Sequence, residues 1–241
     1  MLHDARPWAN FESDYRPLLT FAKQCTIPVL AANAPRRYVG AVGRDAATLR
    51  QQPWPAAAYA TVAPLPLPPP TPAYTKHLLD DPAVVRIDQL GISVDAAADS
   101  QPRTRGPAGS AGALEGVDKV DKGVEGSHGG GTCPFIGLER RHGLLEPMVL
   151  WDATMAHTIA QALAAAPQRL VVHVCGSFHV ERGVGIGEML RHYRAAAKQL
   201  VVGIYPEVDC HHFDTSRHGG LADFIILTDA SLPRSHDYHG T

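Results

Sequence analysis

No stretch of the chain approaches the roughly 18 consecutive apolar residues of a membrane-spanning helix. The opening, MLHDARPWANFESDY, holds no basic segment followed by an apolar one. Neither a membrane span nor a secretory signal is therefore expected. Charge of one sign is missing too. The 22 Lys and Arg stand against 24 Asp and Glu, a formal net charge of −2, so no global field steers the chain toward nucleic acid or anionic lipid. Cysteine is scarce: Cys25, Cys133, Cys175 and Cys210 form no CxxC and no zinc-finger spacing, which argues against a disulfide framework and for a reducing compartment. Between Lys76 and Pro134 there is no Phe, Tyr or Trp at all.

What remains suits a globular protein. The 241 residues are 45% hydrophobic and 19% charged, enough for one core of ordinary size. Three zones separate by composition. In residues 1–52, YRPLLTFAKQC carries Leu18, Leu19 and Ala22 at helical spacing, IPVLAAN reads as a short buried strand, and APRRYVGAV resumes helix after Pro35. Residues 53–133 begin with the proline-dense PWPAAAYATVAPLPLPPPTP, which excludes a continuous helix or central strand. TKHLLDDPAVVRIDQLGISV then offers a short helix and a strand. From about Ala96 to Thr132 the Gly/Ala/Ser-rich sequence lacks both periodicities and buries too little apolar surface to offset its ordering entropy. The zone is expected to be a largely disordered insertion.

Residues 134–241 are the most legible. EPMVLWDATMAHTIAQALAAAP predicts a helix ended by Pro167, RLVVHVC a buried strand, IGEMLRHYRAAAK a helix, and QLVVGIY and LADFIILTD two more strands. The alternation predicts an α/β fold: a mostly parallel sheet flanked by helices, interrupted by a long Pro/Gly-rich insertion.

If the strands run parallel, their carboxyl ends share the edge where such sheets build sites. Asn33 and Arg36 follow the first, Gly176 and His179 the second, and Glu207, Asp209, His211 and His212 the third. Asp152 joins them as a carboxylate in an apolar helical stripe of Met148, Met155, Ile159 and Leu163, a costly place unless its charge is partnered. Each position also has a structural reading: a buried hydrogen bond for Asp152, a turn cap for His179, an Asx turn for Asn33, and solvated loop residues for His211 and His212. His173, inside a strand, reads as a core histidine. The glycines Gly183, Gly185 and Gly187 lack the order and the Lys-Ser/Thr ending of a phosphate loop.

DYRPLLTFAKQCTIPVLAANAPRRYV, LWDATMAHTIA and VVHVCGSFHVERGVGIGEML together resemble the ChaN-like haem-binding uptake family of the Tiki superfamily, over about residues 8–50 and 144–230. The resemblance implies haem as cofactor or ligand, and His179, Asn33, Arg36, Gly176 and Asp152, gathered by the proposed sheet edge, are the candidate residues to bind it. A divalent metal on His179 and a homodimer are also compatible. Hydrolytic branches of the superfamily pair a later G-x-x-H, here Gly176-Ser177-Phe178-His179, with an earlier G-E-x-H. The chain starts just before YRPLL, so the earlier half-site is expected to be absent. Haem or iron handling is the leading expectation, and an enzyme is disfavoured. The alternatives are a metal-dependent or acid/base hydrolase using His179, Asp152 and Glu207, with Asn33 or Arg36 stabilising charge, and a degenerate non-catalytic relative. The compartment stays open between plastid and cytoplasm.

Overall fold

The computed structural model describes residues 10–50, 54–80 and 145–233. Helices α1 (Arg16–Gln24), α2 (Arg36–Arg44), α3 (Ala56–Tyr59) and α4 (Pro72–Asp80) come first, then the long α5 (Leu145–Ala165) and α6 (Ile186–Tyr193). Strand β1 (Val202–Glu207), the short α7 (Thr215–His218) and strand β2 (Phe224–Asp229) follow. The α/β expectation holds: β1 and β2 pair in parallel, with Val202 opposite Phe224 and Glu207 opposite Asp229.

Helix α5 organises the core because it is apolar around most of its circumference, the pattern of a buried helix. Met148, Ala153, Met155 and Ile159 pack against Tyr74 and Leu78 of α4 and Ile186, Met189 and Leu190 of α6. Leu150 turns to a second cluster with Val39 and Val42 of α2, Trp54, Ala58 and Val62. Trp151 touches both clusters. No helix among the described residues is long and apolar enough to cross a membrane.

The start of the middle zone is built into the fold, and the short helix expected in TKHLL is present as α4. Its described part, residues 54–80, is core. Trp54, Ala58, Ala63, Tyr74 and Leu78 are all buried. The Trp54 indole N–H donates to the Thr48 carbonyl at 2.7 Å, and the Ala63 N–H donates to Thr154 Oγ1 of α5 at 3.2 Å. Proline density removes long helices and ladder strands but also fixes φ, so an irregular strap can be ordered at low entropic cost. The remainder of the predicted insertion, with Ala96–Thr132, lies outside the described residues.

Two predicted buried strands are corrected. Residues 27–32 and 170–175 form no strand, and among the described residues no backbone hydrogen bond joins residues 28–32 or 170–175 to a neighbouring segment. Nor are they covered on both sides. Val171 and Cys175 pack on the core cluster of α5 and α6, while Leu170, Val172 and Val174 are 88%, 77% and 67% exposed. An apolar run records a preference for burial, and a strand also needs a ladder partner.

If the strap is part of the core, Leu78→Ala will lower unfolding free energy by about 2–5 kcal/mol, the cost of truncating a buried leucine. A denaturant melt checks this; a change under about 0.5 kcal/mol, typical of exposed positions, would contradict it.

Candidate functional site

Asp152 is the only carboxylate on the buried side of α5, and it is 0% exposed. Both of its oxygens are used. Tyr74 of α4 donates its hydroxyl to Oδ2 at 2.7 Å, and His179 donates from Nδ1 to Oδ1 at 2.5 Å. The carboxylate is thus buried but satisfied, as burial demands. The pairing selects a tautomer: because a carboxylate can only accept, the neutral imidazole carries its proton on Nδ1 and keeps its lone pair on Nε2, on a side chain still 20% exposed. Burial, and then Asp152, push the Tyr74 phenol well above its ordinary range, so it remains a donor.

Sequence explains how these groups meet. Thr71-Pro72 starts α4: the Tyr74 N–H donates to Thr71 Oγ1 at 3.2 Å, and Pro72 occupies the first turn, where a missing N–H costs nothing. Thr71 is itself anchored to Glu188 of α6, donating its hydroxyl at 2.7 Å and its N–H at 3.2 Å. One turn on, His77 donates from Nε2 to the Phe178 carbonyl at 3.2 Å and stacks on its ring at 4.6 Å between centroids. Helix α4 therefore grips both Asp152 and the turn Ser177–His179 that carries the histidine.

Gly185 closes the back of the site. Its φ is +60°, and a Cβ there would come within 2.3 Å of the His179 carbonyl oxygen and 3.0 Å of Asp152 Oδ2. Only glycine allows that approach. Gly176 is under no such constraint: its φ is −64° and an added Cβ would meet His179 at an ordinary 3.8 Å. The ring edges of Trp151 and Phe178 flank His179, at 6.4 and 6.0 Å between centroids.

The other predicted residues are placed differently. Asn33 and Arg36 are exposed at the entry to α2. Ala34 between them lies in the cluster that Trp151 touches, but no hydrogen bond joins either residue to the dyad among the described contacts. Glu207 belongs to a separate group. It accepts from Arg217 at 2.7 Å and from the buried His218 at 2.9 Å, and these bonds, His218 foremost, hold its carboxyl below the usual range. Asp209 accepts from the His211 N–H at 3.3 Å, and His211 and His212 are exposed. His173 Nε2 is buried without a hydrogen-bond partner. Burial and then the nearby His179 lower its pKa, which suits a neutral imidazole.

Among the described residues there is no group of three or more His, Cys, Asp or Glu that could hold a metal ion. An apolar cleft of about 220 Å³, bordered by Leu49, Arg50, Leu67, Leu145 and Val149, has no His, Cys or Tyr in its wall. Sequence reasoning missed Tyr74, His77 and the role of Gly185. The available signal was TPAYTKHL: a Thr-Pro helix start followed by Tyr74 and Leu78 four residues apart.

A sequence model of a family described as haem-binding uptake, Tiki superfamily, ChaN, matches residues 1–190. No curated protein and no solved structure matches.

Tyr74→Phe will leave Asp152 Oδ2 without its buried donor and cost about 1–3 kcal/mol at neutral pH. Because the folded-state pKa of Tyr74 is raised, its stabilising contribution is full below the unfolded value of about 10 and is lost as pH climbs beyond it. The wild type should therefore lose stability above about pH 10 more steeply than the variant. Parallel limbs in denaturant melts across that range would contradict the assignment.

Proposed function

The chain belongs to the ChaN haem-binding uptake family of the Tiki superfamily, and from that premise we propose that it binds haem, or iron as haem, with His179 Nε2 as the protein's ligand to the metal. The observation that carries this reading is the Asp152–His179 hydrogen bond, 2.5 Å from Nδ1 to the buried carboxylate. A carboxylate behind an imidazole fixes the tautomer and ring orientation and raises the basicity of the other nitrogen.

Donor number favours haem over a bare divalent ion. A structural or catalytic zinc site takes three or four protein ligands, whereas in haem the porphyrin supplies four nitrogens and one axial imidazole suffices. The described residues offer one oriented imidazole and no three-ligand cluster, so the donor set fits haem. Held by His179, bound haem would supply ligand-exchange and redox chemistry to the site. Phe178 and Trp151 give His179 aromatic neighbours suited to a flat macrocycle. Exposed Arg36 and Asn33 are the residues we assign to the propionates, and Gly176 leaves room beside the ring of His179.

The dyad also favours a second reading, in which His179 is a general base oriented by Asp152. Glu207 does not support it, because its hydrogen bonds go to Arg217 and His218. An esterase and peptidase screen separates the two readings.

Ferric haem titrated into the purified chain should give a saturable, shifted Soret band at micromolar haem, and His179→Ala should weaken binding at least tenfold. No Soret shift, or equal affinity in the variant, would overturn haem ligation by His179.

A further inference from the structure

A carboxylate that accepts two hydrogen bonds divides its basicity between them. A donor on one oxygen stabilises the anion and so weakens the pull of the other oxygen on its own donor. Asp152 is in that position, with Tyr74 donating to Oδ2 at 2.7 Å and His179 donating to Oδ1 at 2.5 Å. Water does not moderate the charge, because the Asp152 side chain is 0% exposed. Among the described residues no third donor reaches it. Gly185 packs against Oδ2, where an added Cβ would lie 3.0 Å from that oxygen.

The phenol is fixed as a donor. Tyr74 is 1% exposed and sits in the core cluster with Leu78, Met148 and Ala153. Its backbone N–H is held by Thr71 Oγ1 in the first turn of α4. The hydroxyl therefore cannot turn to water in place of Asp152. Burial, and then Asp152, keep it protonated through the neutral range.

The geometry points to Tyr74 as the residue that sets how strongly His179 binds metal: by donating to Asp152 it tempers the carboxylate, and through the carboxylate the basicity of His179 Nε2. The inference rests on the haem reading for its ligand and deepens that reading. Tyr74 touches neither His179 nor the ligand, so it is a positioning residue that acts through Asp152. An imidazole backed by a carboxylate is a strengthened donor that favours ferric over ferrous iron. The phenol limits that preference, which suits a site that hands its ligand on. A purely structural tie behaves differently: its loss loosens both oxidation states together and leaves the Asp152–His179 bond no stronger.

Two substitutions of opposite sign test the inference. Tyr74→Phe removes the donor, and Tyr74→3-fluorotyrosine makes it a stronger one. In the ligand-free protein the Nδ1 proton of His179 should move downfield in Tyr74→Phe and upfield in the fluorinated chain. With haem bound, the preference for ferric iron should rise roughly threefold in Tyr74→Phe, a fall of about 28 mV in reduction potential, and the fluorinated chain should shift the other way. An unmoved Nδ1 proton, shifts of one sign in both variants, or an unmoved potential in the loaded protein would each overturn it. If Tyr74→Phe fails to fold, the sign of the shift in the fluorinated chain decides alone. A wild type that takes up no haem while its Nδ1 proton responds as expected removes the haem reading and leaves the action of Tyr74 on His179 standing.

Discussion

The carboxylate of Asp152 accepts from Tyr74 on one oxygen and from His179 on the other, with no exposure to water. That pair of hydrogen bonds joins three segments far apart in sequence: the strap, the long helix α5 and the turn before α6. A buried carboxylate lacking either partner would carry a desolvation cost of several kcal/mol, so the arrangement is strongly coupled. The strap must be in place for Tyr74 to reach Asp152, and Asp152 must be held for His179 to present Nε2. Stability and the proposed ligand geometry therefore draw on the same contacts.

Around that centre the helical side is densely connected. Thr71 ties α4 to Glu188 of α6, His77 ties α4 to the backbone at Phe178, and Thr154 ties α5 to Ala63. The sheet side is tied to the segment after His179: Tyr205 of β1 donates to Glu181 at 3.1 Å and the Arg182 N–H to the Leu221 carbonyl at 2.9 Å. Its two strands pair with each other, and the apolar rows of residues 170–174, β1 and β2 face outward.

Much of this was legible in residue patterns. The helix over residues 145–165, the stripe through Met148, Asp152, Met155 and Ile159, and the parallel pair of β1 and β2 follow from periodicity. Asp152 announced itself by interrupting an apolar stripe, and His179 by following an apolar run at a turn. Tyr74 was hidden because the surrounding prolines erase the periodicity that marks core segments. Its burial depends on tertiary contacts from α5 and α6 that no local pattern encodes. Residues 27–32 and 170–175 show the converse: their apolar runs record what they prefer to touch, while pairing depends on a neighbour that sequence cannot supply locally. Glu207 sits at the predicted sheet edge, yet Arg217 and His218 lie closer along the chain and take its hydrogen bonds.

In the proposed site Asp152 holds the neutral His179 with its proton on Nδ1 and its Nε2 free to bind metal. Two-dimensional ¹⁵N–¹H NMR of the imidazoles, with His179 assigned by substitution, tests this directly when diamagnetic zinc protoporphyrin is added. The Nδ1–H tautomer is expected in the free protein, with a large shift of Nε2 alone on addition. An Nε2–H tautomer, or a His179 spectrum unchanged at saturating porphyrin, would contradict it.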